Sequence, residues 1–212
     1  MRRVACLHTA ESNVAVFDDA LGRSGLRGIA LGHTVRADLL ADAERAGGVT
    51  PEIAVRTADA LRGLCASADA VLLTCSTLGP AAEAAAAGAP VPVLRVDEAL
   101  ARRAVAAGGR VVVLCAVETT VDPTRRLFER VGSETGAEVV VALVPGAWDA
   151  FRSGDRERYW DMIARSAEAA EREGAACVAL AQASMAAAAD RARTDRRPLD
   201  SPSAGLAAAA AI

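Results

Sequence analysis

The stretch 68-ADAVLLTCSTLGP-80 decides the fold. Its short run of small and branched apolar residues reads as a strand buried on both faces. Gly79-Pro80 and the Ala/Glu-rich segment after them read as a turn into a helix, with proline suited to a first helical turn. This places Cys75 at the carboxyl end of a central strand, facing a helix N-terminus. In open α/β sheets that edge is where ligands bind. A helix N-terminus offers free N–H groups and a partial positive charge. Both predict a thiol pKa below the ordinary ~8.5 and a carboxylate held beside the sulfur. The competing reading is that Cys75 packs as a small hydrophobe, as free cysteines usually do. The polar neighbours Thr74, Ser76 and Thr77 and the strand-end position favour the working thiol.

Outward from this stretch, apolar runs alternate with amphipathic ones. Toward the N-terminus, residues 3–8 (RVACLH) and 27–33 (RGIALGH) read as strands. A helix over 14–23 lies between them, with Ser12 or Asn13 as its cap. Residues 35–47 are amphipathic. A helix then begins at Pro51, with Thr50 at the cap position. A helix over 80–87 follows the Cys75 strand, then a strand at 91–96 (VPVLRV) and a helix over 97–108.

The pattern then restarts. Residues 110–120 (RVVVLCAVETT) read as a strand, 122–136 as a helix capped by Asp122, and 138–144 as a strand. PGAWDAFRSGD reads as a loop or broken helix in which Asp149 and Asp155 are turn residues. A long helix follows, then strand, turn and helix through CVALAQASMAAAADRART, and a weak terminal helix. Strands alternating with helices throughout argue for parallel sheets in an α/β fold.

Composition narrows the chemistry. The chain has 212 residues, is 52% hydrophobic and carries a net charge of −3, which gives no basic footprint for nucleic acid. No stretch reaches the ~18 uninterrupted apolar residues of a membrane span. The apolar run after Arg2 and Arg3 is too short for a signal peptide, so the expected location is the cytoplasm. All 24 basic residues are arginine. The absence of lysine excludes a Schiff base to pyridoxal phosphate and a Walker A motif. No GxGxxG occurs. None of the five cysteines forms a CxxC or a zinc-ligand spacing. With only two histidines, no dedicated metal site is expected. Cys6, Cys65 and Cys177 read as core.

The chain also carries a duplication. Setting 68-ADAVLLTCST-77 over 175-AACVALAQAS-184 places Cys75 on Gln182, and 182 − 75 = 107. Setting 7-LHTAESN-13 over 114-LCAVETT-120 places Glu11 on Glu118, again 107 apart. Agreement at one offset near half the chain length argues for two similar halves. Facing each other, such halves would bring Cys75 and Gln182, and Thr9, Ser12 and Asn13 against Thr119 and Thr120, around one cleft.

LLTCST at 72–77, ETTVDPT at 118–124, LAQASM at 180–185 and DSPSAG at 200–205 together resemble the aspartate/glutamate racemase superfamily, including its hydantoin racemase, maleate isomerase and arylmalonate decarboxylase members. The resemblance spans nearly the whole chain. It implies two pseudo-symmetric flavodoxin-like lobes with parallel sheets, residues 1–95 plus 195–212 and residues 96–194, with the active site in the cleft between them. It implies catalysis without cofactor or metal, a small amino-acid-like carboxylate as substrate, and a homodimer by analogy.

Family racemases place one thiol on each side of the substrate's α-carbon. Cys75 matches the first. Gln182 occupies the second position, and an amide is neither acid nor base near neutral pH. A lone thiolate at Cys75 can abstract an acidic α-proton or add to an activated double bond. His8, where glutamate racemases carry an acidic residue, is the candidate second base; its other reading is packing or capping. His33 reads as structural, although both histidines are expected at the sheet's active edge. Thr9, Asn13, Ser76, Thr77, Thr119, Thr120, Gln182 and Ser184 are the candidate substrate-binding residues, holding carboxylates and a developing enediolate. Glu11 and Glu118 read as helix-start charges. Trp148, Tyr159 and Trp160 read as core. The leading expectation is a cofactor-independent racemase, epimerase or related isomerase. A one-thiol lyase of the decarboxylase type, and a binding protein without turnover, are the alternatives.

Overall fold

The computed structural model describes residues 1–106 and 108–212. The described chain divides into two compact units, Met1–Ala99 with Pro202–Ile212, and Leu100–Ser201.

Unit 1 is a four-stranded parallel sheet in the order β2-β1-β3-β4. Its strands are β1 (Arg2–His8), β2 (Ile29–Val35), β3 (Ala70–Leu73) and β4 (Val93–Arg95). Its helices are α1 (Ser12–Ser24), α2 (Ala37–Arg45), α3 (Pro51–Leu64), α4 (Gly79–Ala86) and the start of α5 (Val96–Val105). Alternation along β1 sends Ala5 and Leu7 to one face, where they join Val71 and Leu73 of β3 and Ile53, Ala58 and Leu61 of α3. Val4, Cys6 and His8 go to the other face, where the His8 ring lies 5.2 Å from that of Phe17 in α1. The start of α3 follows its sequence signature: Thr50 Oγ1 accepts the Ile53 N–H at 3.3 Å, and Pro51 opens the helix.

Unit 2 repeats this order as β6-β5-β7-β8. Its strands are β5 (Arg110–Cys115), β6 (Glu138–Leu143), β7 (Cys177–Leu180) and β8 (Leu199–Asp200), all parallel. Its helices are α6 (Val121–Gly132), α7 (Ala147–Arg152) and α8 (Arg156–Arg172). The duplication holds to the residue in the central strands. Val4 is registered with Ala70 and Val111 with Cys177, and both 111 − 4 and 177 − 70 give 107. The final helix α9 (Ser201–Ala210) supplies the last part of unit 1.

Several elements differ from the sequence reading. The expected strand 110–120 stops at Cys115, and Glu118–Thr120 forms a 3₁₀ turn. Thr120 therefore takes the cap position of α6, which leaves Asp122 and Pro123 inside its first turn. Glu11, not Ser12 or Asn13, stands at the cap position of α1, without a side-chain cap bond. Asp149 lies in the first turn of α7 rather than in a turn. Asp155 caps α8, accepting the Arg158 N–H at 3.1 Å. Residues Ala183–Asp190 form a 3₁₀ helix. The expected helix over 97–108 ends at Val105; Ala107 lies outside the described residues. No helix among the described residues is long and apolar enough to cross a membrane.

Gly205 lets α9 approach unit 1 closely. A β-carbon there would meet Val96 Cγ1 at 2.7 Å and Leu72 Cδ2 at 3.3 Å. Both neighbours are buried, so neither can yield without disturbing its own packing. Gly205→Ala is expected to cost about 1–3 kcal/mol by overpacking. Thermal unfolding checks this; an unchanged midpoint would show that α9 shifts freely.

Candidate active site

In unit 1 the strand order reverses at β1, because β2 lies on one side of it and β3 on the other. A crevice outside the carboxyl ends of β1 and β3 is therefore the topological switch point, where such sheets bind ligands. Thr9 follows β1, and Cys75 follows β3 by two residues. The Thr74 N–H and hydroxyl both bond the Leu7 carbonyl, each at 3.1 Å. This extends the β1–β3 pairing one residue past the strand and holds the start of the loop that carries Cys75.

Cys75 is buried. The polar groups that act on its sulfur are the Thr9 and Thr77 side chains and the backbone N–H groups of Thr77 and Leu78, which lie just before α4. Burial pushes the thiol's pKa up, and these four groups pull it down. Burial wins, so the thiol of the free protein titrates above the ordinary cysteine value. The lowered pKa expected from the helix N-terminus is thereby corrected. The N–H donors are present as expected, but desolvation outweighs them.

His8 is fully buried at the end of β1. Its Nδ1 lies 2.9 Å from Thr74 Oγ1 and its Nε2 lies 2.9 Å from His33 Nδ1. His33 Nε2 in turn lies 3.1 Å from Asp18 Oδ1 on α1. Burial first, and the neighbouring His33 second, push the His8 pKa down to about 4 against the opposing pull of Asp18. The ring is neutral at pH 7 and both its nitrogens are engaged in this chain. His33 is not at the sheet edge as expected: β2 runs on to Val35 to match the full length of β1, so His33 sits two residues inside it, registered with Cys6. The other unit 1 candidates lie on the flanking loops and helix starts. Ser76 and Thr77 are half-buried, Thr9 is buried, and Asn13 is half-buried in the first turn of α1.

Unit 2 builds its own polar cluster at the same topological place, between β5 and β7. Gln182 Oε1 accepts the Ala116 N–H at 2.7 Å, and its Nε2 donates to Thr120 Oγ1 at 3.0 Å. Thr120 Oγ1 passes its own proton to the Val117 carbonyl at 2.6 Å. The sequence reading missed Cys115 here. The 107 offset equates it with His8, which was the available signal. Cys115 is fully buried, and burial raises its pKa against the opposing pull of the nearby Thr124, Gln182 and Thr120 side chains. Thr119 is exposed. The Ser184 hydroxyl pairs with the Tyr159 hydroxyl at 2.8 Å, and its carbonyl accepts the Trp160 indole N–H at 2.9 Å, so Ser184 braces α8.

Two copies of one doubly wound sheet, with a buried thiol at the first switch point, define a duplicated α/β protein. The chain belongs to the Asp/Glu/Hydantoin racemase family, whose model matches residues 3–209. Solved structures agree in fold. An aspartate racemase homologue from Pyrococcus horikoshii OT3 has a TM-score of 0.73 at 17% identity, over all of both chains. The allantoin racemase of Klebsiella pneumoniae has a TM-score of 0.71 at 18% identity, over all of this chain and 87% of that one. The aspartate racemase of Picrophilus torridus has a TM-score of 0.71 at 12% identity, over 99% and 93%. No curated protein matches the chain by sequence.

The opposition of burial and donors at Cys75 is open to direct test. Alkylation of Cys75, followed by peptide mass spectrometry against pH, is expected to show a midpoint above that of free cysteine. Thr9→Val removes one donor to the thiolate, and a hydrogen bond to a charged group is worth roughly 1.5–3 kcal/mol. The midpoint should rise by about one to two further pH units. A midpoint below that of free cysteine would show that the donors prevail.

Proposed function

We propose that the chain is a cofactor-independent isomerase, a racemase or epimerase of a small amino-acid-like carboxylate, with Cys75 at the reacting carbon. The observation that carries this reading is the place of Cys75, buried two residues past β3 at the unit 1 switch point and just before α4. The polar groups that act on its sulfur are useful where a sulfur must carry negative charge during turnover. In the forward step the substrate's α-C–H bond breaks and its proton passes to the thiolate. The electron pair moves into the carboxylate as an enediolate; water on the opposite face returns a proton to the α-carbon, and the Cys75 thiol gives its proton back to the hydroxide left behind. Ser76 and Asn13 serve the substrate carboxylate, while Thr9 and Thr77 hold the sulfur.

His8 contributes through Thr74 rather than by touching substrate. Its Nδ1 meets the hydroxyl of the residue before Cys75, so it is a positioning residue for that loop. The raised pKa of Cys75 also favours a second reading. A thiol protonated at rest is the form a one-thiol lyase needs, delivering its proton to an enediolate left by departing carbon dioxide.

Proton exchange in deuterium oxide decides between these readings. Aspartate, glutamate, hydantoins and small malonates are incubated with the protein and followed by NMR. An isomerase is expected to place deuterium at the α-carbon of one substrate without carbon loss, and Cys75→Ala should lower that exchange by at least about 100-fold, the usual scale for a lost general base. Release of carbon dioxide instead would assign the lyase. No exchange and no release, with carboxylate binding retained in Cys75→Ala, would make the chain a binding protein.

A further inference from the structure

A second cluster lies on the opposite face of the unit 1 sheet from the β1–β3 apolar core. Cys6 and His8 are two residues apart on β1 and so share a face. His33 on β2 is the register partner of Cys6 and faces the same way. The Cys6 sulfur and one nitrogen from each histidine all lie within 4.8 Å of one another. We propose that Cys6, His8 and His33 form a transition-metal site that takes Zn²⁺, with the fourth coordination position open to water or a small ligand.

Two observations support the site independently. The first is spacing. Tetrahedral zinc at about 2.0–2.1 Å from nitrogen and 2.3 Å from sulfur sets its ligand atoms roughly 3.3–3.6 Å apart. His8 Nε2 and His33 Nδ1 stand 2.9 Å apart, so only a small opening of the pair admits the ion. The second is the polarity of the hydrogen bonds entering from both ends. Thr74 Oγ1 donates to the Leu7 carbonyl, so it accepts from His8 Nδ1–H. The Asp18 carboxylate accepts from His33 Nε2–H. These bonds leave His8 Nε2 and His33 Nδ1 facing each other with a lone pair each, an arrangement that calls for a cation between them. Outer nitrogens fixed by a hydroxyl and a carboxylate are also the usual support for metal-ligating histidines.

A thiolate with two imidazoles favours zinc-like ions over magnesium or calcium. On binding, the Cys6 S–H gives its proton to solvent and a Zn–S bond forms, with no change of oxidation state. The exposed carboxylate of Asp18 offsets part of the remaining positive charge. The half-buried ring of His33 is the one part of the cluster near solvent.

The full-length protein, stripped with a chelator and titrated with Zn²⁺ or with Co²⁺ as a spectroscopic probe, tests the site. One equivalent is expected to bind, and the cobalt form should show a thiolate-to-metal charge-transfer band with tetrahedral ligand-field bands. Cys6→Ser should abolish the charge-transfer band, and His33→Ala should abolish binding. Asp18→Asn, a surface change that leaves the core intact, should keep the band and weaken zinc about 10–100-fold. Failure to bind either ion would show that the two imidazoles share a proton only and would overturn the site. A cobalt spectrum unaffected by His33→Ala would place the metal on other residues, with the same consequence.

Discussion

The candidate active site of unit 1 hangs on the parallel pairing of β1 with β3. That pairing ends with Leu7 opposite Leu73, and Thr74 prolongs it by bonding the Leu7 carbonyl. Unit 2 repeats the bond with Ala181 and Leu114, at 3.0 Å and at the same 107-residue offset. Buried backbone groups must be paired, so each sheet has little choice about where its central strands stop. Once that is settled, the next residues turn out of the sheet at the switch point, and the side chains they carry become the site.

The two sites then diverge in chemistry. In unit 1 the residue after Thr74 is a cysteine surrounded by donors; in unit 2 the matching residue is Gln182, an amide tied to the backbone of Ala116 and to Thr120. Near its own switch point unit 2 carries a thiol at the end of its first strand instead, Cys115. Both thiols are governed by the same contest, in which burial favours S–H and nearby hydroxyls and amides favour S⁻. Their donors are fixed in place before any ligand arrives, so a change in solvent access is the term left to shift the balance.

The sheets and the repeat were legible in the sequence because both faces of the central strands are apolar and the spacing between halves is constant. Helix starts were legible where a side chain caps them or a proline opens them, as at Thr50 and Pro80, and not where the backbone turns with neither, as at Glu11. The position of Cys75 and its neighbouring donors could be read from TCST and the Gly-Pro after it. Its raised pKa could not, because desolvation depends on the packing of residues distant in sequence. The His8–His33 chain was hidden for a related reason: positions 6, 8 and 33 form no recognisable motif until the β1–β2 register lays them side by side. Cys115 was visible only through the repeat, which equates it with a histidine rather than with another cysteine.

Gly205 and the Arg2 side chain carry a consequence for how the chain reaches its structure. Residues 202–212 belong to unit 1, and the Arg2 guanidinium bonds the Ala209 and Ala210 carbonyls at 3.3 and 2.7 Å, capping the end of α9. Unit 2 is one uninterrupted segment, whereas unit 1 is split around it. During synthesis on the ribosome, unit 2 has all its parts before unit 1 does. The half that bears Cys75 waits with Leu72 and Val96 uncovered until α9 emerges, so the first unit to be made is the last to be finished.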